Sequence, residues 1–264
     1  MSILELKIPQ AVFLKNAVAA IAEVNAHDGN KSYVHFTQAG LTFQFEAADN
    51  RVVAVLRLLS AGCDGYQCQS SPSFSFDFAR LQEVMNQATE QDALTISVSG
   101  DKIKTMNFVF ENQGTAGERR TFGMELTRCN CEIFDIPESL KAKSFEIPSE
   151  PFCNALTEII SDAGGKDMPP PSNAGPTAWI FVREGKMYIH GMQKRIILEL
   201  ENKEGGIFSG GDFNRRLGVV YRLRYFLKAA LLSEKVWINK GDIPIALACP
   251  FGGDLGYVYL IEEY

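Results

Sequence analysis

Two hydrophobic periods alternate along this chain. Phe13, Ala17, Ala20, Ile21 and Val24 recur three or four residues apart, the spacing that lines one face of a helix. Phe152, Leu156, Ile159 and Ile160 follow the same rule. So do Phe78, Leu81, Val84, Met85 and Ala88, and again Val220, Leu223, Phe226, Leu227, Ala230 and Leu231. Four helices are therefore expected. The other apolar segments are short and rich in β-branched and aromatic residues, which predicts strands. They cover residues 33–37, 41–45, 52–58, 94–98, 108–110 and 121–126, then 180–182, 187–189, 196–200, 236–239, 243–248 and 256–261. Gln38-Ala39-Gly40 and Arg183-Glu184-Gly185-Lys186 separate neighbouring strands as short turns containing Gly.

The pattern repeats. Ile8-Pro9 with Val12-Phe13 recurs as Ile147-Pro148 with Pro151-Phe152, an offset of 139. Phe36 to Gly40 matches Phe181 to Gly185 at 145, and Arg51-Val52-Val53 matches Arg195-Ile196-Ile197 at 144. The helix beginning at Phe78 and the strand at Leu94 match those at Val220 and Val236, both at 142. Five weak matches in one order, at nearly one offset, indicate two copies of one unit. The fold class is α+β, two strand-rich domains with two helices and eight or nine strands each. The expected boundaries are a first domain over 1–128, a linker over 129–144 and a second domain over 145–264. Residues 162–178, with Gly164-Gly165 and Pro169-Pro170-Pro171, read as a mobile loop inside the second copy.

Composition narrows the class. With 264 residues, 46% hydrophobic and 22% charged, the chain is neither a disordered tail nor a low-complexity scaffold. No apolar run approaches the roughly 20 residues a membrane span needs. MSILELKIPQ lacks the regions of a signal peptide, so an intracellular protein without membrane contact is expected. Six Cys are too sparse for a disulfide framework, and neither they nor the three His show zinc spacing, so no metal is expected.

No catalytic constellation stands out. GxxxxGK[ST], GxSxG, HExxH and CxxC are absent, which predicts a protein that is not an enzyme and needs no cofactor. A net charge of −6 means that any nucleic-acid contact must come from a local basic surface. The last helix offers one. Tyr221, Arg222, Arg224, Tyr225 and Lys228 occupy its polar positions, Arg224 and Lys228 share a face, and Arg215-Arg216 precede it. The first copy offers only Lys15 and Arg80. The competing reading is a solvated helix face with extended cationic side chains.

Taken together, these features resemble the eukaryotic and archaeal sliding DNA clamps, the proliferating cell nuclear antigen family. The local matches are Tyr66-x-Cys68, Phe134-x-Ile136-Pro137-Glu138 and Ile147-Pro148-Ser149 with Phe152. Further along come Leu223-Arg224-Tyr225, Lys228-Ala229, Asp242-Ile243-Pro244-Ile245 and Tyr259-Leu260. Departures fall at Ile261-Glu262, where the family has Ala-Pro, and at Glu83, Asn86 and Thr157, where its helices are basic.

The resemblance implies a homotrimeric, six-domain ring with helices lining the hole. Such a ring encircles double-stranded DNA without sequence preference. It serves as a processivity factor for DNA polymerase and a docking platform for replication and repair proteins that carry a clamp-binding motif. An ATP-dependent clamp loader would place it. Its location would be the nucleus in a eukaryote, otherwise the cytoplasm or a viral replication site. By resemblance, Lys15, Arg80, Arg224 and Lys228 face DNA. Val52, Phe134, Ile136, Pro137, Pro244, Tyr259 and Ile261 form a client-peptide pocket, with Phe134 and Ile136 exposed on the linker. The subunit edges are two strands, one carrying Thr121, Phe122 and Met124, the other Lys186, Tyr188 and His190. Other readings are a subunit of a heterotrimeric checkpoint clamp, a monomeric viral processivity factor, and an enzyme on an unrelated two-repeat β fold.

Overall fold

The computed structural model describes residues 2–24, 31–47, 52–99, 105–114, 117–134, 136, 144–164, 177–183, 186–191, 193–199, 213–239 and 246–262. The chain divides into two compact units. The first comprises 1–135 with 250–259, the second 136–249 with 260–264.

The first unit opens with strand β1 (Ser2–Ile8) and helix α1 (Ala11–Ile21). Strands β2 (Lys31–Thr37), β3 (Gly40–Glu46), β4 (Val52–Leu59), β5 (Gly65–Cys68) and β6 (Ser73–Ser75) follow. Helix α2 (Phe78–Asn86) comes next, then β7 (Asp92–Ser99), β8 (Thr105–Asn112), β9 (Arg119–Glu125) and β10 (Thr127–Arg128). One antiparallel sheet runs β5-β1-β7-β8-β9, and a second set runs β10-β6-β2-β3-β4. Leu6, Ile96, Phe108 and Phe122 stand opposite one another across four strands. Residues in register share a face, so this row is a continuous apolar ladder. Leu6, Ile96 and Phe108 are fully buried, worth about 1.5–3 kcal/mol each. Helices α1 and α2 pack on each other, α1 also on β7 and α2 on β9. The Asp77 carboxylate caps α2 by accepting the Ala79 N–H at 2.9 Å.

The second unit contains β11 (Ser144–Pro148), α3 (Ser149–Asp162), β12 (Thr177–Arg183), β13 (Lys186–His190), β14 (Arg195–Glu199) and β15 (Phe213–Val219). Helix α4 (Leu223–Ala230), β16 (Lys235–Asn239), β17 (Ala246–Phe251) and β18 (Gly256–Glu262) complete the chain. One antiparallel sheet runs β14-β13-β12-β15. In the other set β16 lies between β17 and β11. Helix α3 packs on α4 and on β13 and β14. The approach is so close that a Cβ on Gly191 would lie 2.9 Å from Ile159 Cγ2.

The four helices match their periodicity, with α4 shorter than expected because Val220–Arg222 forms a single 3-10 turn. Strands β1, β5, β6, β10, β11 and β15 add to those expected. Residues 165–176 of the anticipated loop lie outside the described residues.

Candidate functional site

In the first unit the expected DNA-facing cations are already engaged. Lys15, on α1, extends its Nζ to the far end of α2. There it donates to the carbonyls of Ala88 at 2.8 Å and Asn86 at 3.3 Å. A helix C-terminus leaves carbonyls unpaired and carries partial negative charge, so an ammonium there is a cap. Arg80, on α2, donates through Nε to the Gly123 carbonyl of β9 at 3.1 Å and through Nη1 to Glu83 at 2.9 Å. These two side chains tie helices and sheet together.

In the second unit Lys228 is exposed and Arg224 half-exposed on α4, one turn apart. Two neighbours depart from expectation: Arg222 and Tyr225 are 5% and 8% exposed, so they belong to the interior and not to a polar face. Arg215 and Arg216 also move. They stand in β15, at register positions opposite Ile180 and Trp179. The exposed positions of α3 are Glu150, Pro151, Asn154, Thr157, Glu158 and Ser161, with Glu158 3.2 Å from Lys194.

The segment after β10 is held by a residue that periodicity did not single out. Gln44, in the middle of β3, is almost fully buried. Its Oε1 accepts the Phe134 N–H at 2.6 Å, and its Nε2 donates to the Glu132 carbonyl at 3.1 Å. Phe134 is half-buried. Ile136, expected to be exposed, is buried, because its apolar side chain is covered like any core position. Val52, Tyr259 and Ile261 are buried too. Burial pushes the Tyr259 phenol up to about 12, so it stays neutral at physiological pH. Val52, Phe134 and Tyr259 belong to the first unit, Ile136 and Ile261 to the second. Pro137 and Pro244 lie outside the described residues.

The two strands expected as subunit edges differ. β9, with Thr121, Phe122 and Met124, ends its five-stranded sheet. Thr121 is exposed, Phe122 half-buried and Met124 buried. β13, with Lys186, Tyr188 and His190, does not end its sheet. It pairs with β12 on one side and β14 on the other, so its backbone is satisfied internally. The outer strand beyond it is β14, where Ile197 is 51% exposed.

The β9 edge is fixed from within. Arg120 donates to the Asp92 carboxylate at 2.6 Å and to the Gln87 carbonyl at 2.8 Å, and lies 5.7 Å over the Phe110 ring. The Thr89 N–H also donates to Asp92 at 2.7 Å. Burial alone would raise the Asp92 carboxyl. The Thr89 and Arg120 hydrogen bonds outweigh it and hold the group below its ordinary value.

Among the described residues, no three His, Cys, Asp or Glu side chains are grouped to hold a metal ion. No helix among them is long and apolar enough to cross a membrane. Cys129 and Cys131 place their sulfurs 3.4 Å apart, and desolvation together with the Cys131 neighbour pushes the Cys129 thiol up to about 11.

Two strand-rich units, each with a pair of mutually packed helices, define the α+β architecture of the DNA clamps. The profile described as "Proliferating cell nuclear antigen, N-terminal domain" matches residues 3–133. The chain is 27% identical over 160 residues to Proliferating cell nuclear antigen 2 of Drosophila melanogaster, covering 59% of each chain. The alignment thus spans about three fifths of that relative's length. Residues 3–133 are thus similar to the N-terminal domain of the proliferating cell nuclear antigen family.

Proposed function

We propose that the protein is a sliding clamp, a non-enzymatic ring of three identical copies. It surrounds duplex DNA and keeps DNA polymerase and other replication or repair proteins on the template. Similarity to the proliferating cell nuclear antigen family supports the role. The observation that carries the assembly is the β9 strand at the end of the first unit's sheet, rigidly held by Arg120 and Asp92. An exposed row of backbone N–H and C=O groups seeks a partner strand. The partner in the next copy is β14, whose Ile197 side chain is half exposed. A head-to-tail contact of this kind closes into a ring when the rotation permits.

A closed ring holds DNA topologically, so an acidic protein needs only weak, sequence-blind phosphate contacts for sliding. Arg224 and Lys228 supply those contacts in this reading, and Lys15 and Arg80 brace the helices of the first unit. Client proteins dock through a short apolar motif at the linker that carries Phe134, Ile136 and Pro137, with Val52, Pro244, Tyr259 and Ile261 contributing as the family resemblance implies. An ATP-dependent loader opens and places the ring, and the site of action is the nucleus or another replication site.

Light scattering combined with primer extension tests the proposal. Three copies in solution and a longer polymerase tract in the presence of a loader are expected. One copy that binds duplex DNA directly with a steep salt dependence would indicate a monomeric processivity factor instead. One copy with no effect on tract length would fit a subunit of a mixed trimer.

A further inference from the structure

The four-stranded sheet of the second unit has one face turned to the core and another that is unusually aromatic. Ala178, Ile180, Val182, Met187 and Ile189 are buried on the core face. The alternate positions of β12 and β13 form the opposite face. Trp179, Phe181 and Arg183 stand opposite His190, Tyr188 and Lys186 respectively. On β14, Arg195 and Ile197 stand opposite His190 and Tyr188. Trp179 is 44% exposed, an uncommon position for the largest apolar side chain. Phe181 and Tyr188 stack at 4.8 Å between ring centroids. The Arg195 guanidinium lies 4.4 Å from the Tyr188 centroid and 5.6 Å from that of Phe181.

Three aromatic rings thus occupy the outer face of the two central strands, and Arg183, Lys186 and Arg195 surround them. Glu199 takes the register position opposite Lys186. In a chain of net charge −6, this face concentrates positive charge beside the exposed Trp179 ring and the half-buried Phe181 and Tyr188 rings. A pleated sheet face is broad and shallow. It offers little of the concavity that a peptide anchor requires, but it suits flat groups laid along it. Rings on the central strands of an antiparallel sheet, flanked by cations, are the physical means by which single strands are held. Bases stack on the aromatic groups while phosphates meet Arg and Lys.

We propose that this face of β12, β13 and β14 binds single-stranded nucleic acid without sequence preference. Trp179 is the principal stacking group, and Arg195 holds the Phe181–Tyr188 pair in place while contributing charge. The proposal does not depend on ring closure or on Arg224 and Lys228, which belong to α4. It would let the protein hold an unpaired strand on a surface separate from its duplex contacts.

The test uses the full chain with a fluorescent oligothymidylate of about 15 nucleotides, followed by anisotropy. Binding should exceed that of a duplex of equal length. Three cations give an expected slope of about −2 for log K against log salt. Trp179→Ala should weaken binding roughly fivefold or more, as loss of one stacked base does. Trp179→Phe should retain most of it, which separates stacking from damage to the fold. Arg195→Gln should both weaken binding and flatten the salt slope. In a Trp237→Phe background, Trp179 emission should be quenched by the oligonucleotide. Absence of binding would overturn the proposal. So would binding that survives Trp179→Ala but is lost in the Arg224→Glu, Lys228→Glu variant, because that places the strand on α4. If an acidic aromatic peptide binds this face and the oligonucleotide does not, the occupant is a protein and the proposal fails.

Discussion

The side-chain amide of Gln44 grips the backbone on either side of Ile133: its oxygen takes the Phe134 N–H and its nitrogen serves the Glu132 carbonyl. Ninety residues of sequence separate Gln44 from Phe134. A buried Gln can satisfy a donor and an acceptor at once, so this one residue replaces two rungs of a strand ladder. Residues 132–134 are therefore positioned by the sheet of the first unit.

Gln44→Ala is expected to destabilise the first unit by about 1–3 kcal/mol, because it leaves the Phe134 N–H and Glu132 carbonyl without their partner. Gln44→Leu should be no better, since it restores volume but neither hydrogen bond. Urea unfolding monitored by circular dichroism measures the loss. If the linker binds client peptides, calorimetry should also show weaker binding for Gln44→Ala even where the fold is intact.

The edge strands yield opposite expectations for two proline variants. Thr121→Pro on β9 should weaken assembly while the unit remains folded, because proline is tolerated on an outer strand. Tyr188→Pro on β13 should instead unfold the second unit. That strand has neighbours on both sides, and a proline removes a ladder donor and the Phe181 stacking partner together. Light scattering and circular dichroism distinguish a folded monomer from an unfolded chain. A folded, monomeric Tyr188→Pro variant would contradict the inner position of β13.

Cations on the helices should separate by role. Lys15→Met removes the cap on the carbonyls of Asn86 and Ala88 and should cost about 0.5–1.5 kcal/mol of stability. It should leave polymerase tract length unchanged at temperatures where the protein is folded. The double variant Arg224→Glu, Lys228→Glu should behave conversely, shortening tracts or reducing loading while stability changes little.

Acid should loosen the β9 edge. Asp92 has a native value held below the ordinary carboxylate value, so its ionised form stabilises the folded state. That contribution is complete above the unfolded value of about 4 and is lost as pH falls from there through the lowered native value. Wild type should therefore lose more stability than Asp92→Asn between about pH 5 and about pH 3. Denaturant midpoints at the two pH values measure the difference.

The helices were legible because two periods differ so clearly. Phe78, Leu81, Val84 and Met85 cannot line one face of a strand. The alternation of Leu4, Leu6 and Ile8 in β1 spans only three apolar positions, too short a run to register as a strand period. β5, β6 and β10 have two to four residues, too few for any period to register. β15 is hidden because Asn214-Arg215-Arg216 interrupts its apolar pattern.

The candidate site was harder. Residue type marked Lys15 and Arg80 as cations, but only distant carbonyls decide that they are committed elsewhere. Lys186, Tyr188 and His190 alternate with buried Met187 and Ile189 as an edge strand would, and pairing with β14 is not encoded in that pattern. Gln44 left a fainter trace, a lone amide among Leu41, Phe43 and Phe45.

The final strand has a consequence for how the protein is made. Residues 250–259 belong to the first unit, where the Leu59 N–H donates to the Leu255 carbonyl at 2.9 Å. The fit is tight enough that a Cβ on Gly256 would collide with the Arg57 carbonyl. During synthesis β4 therefore waits for a neighbour encoded some two hundred residues downstream. At ordinary elongation rates that interval is on the order of ten seconds or more. The nascent N-terminal half spends it with an incomplete apolar sheet, β4 paired to β3 on one side and open on the other until the strand that covers it has been made.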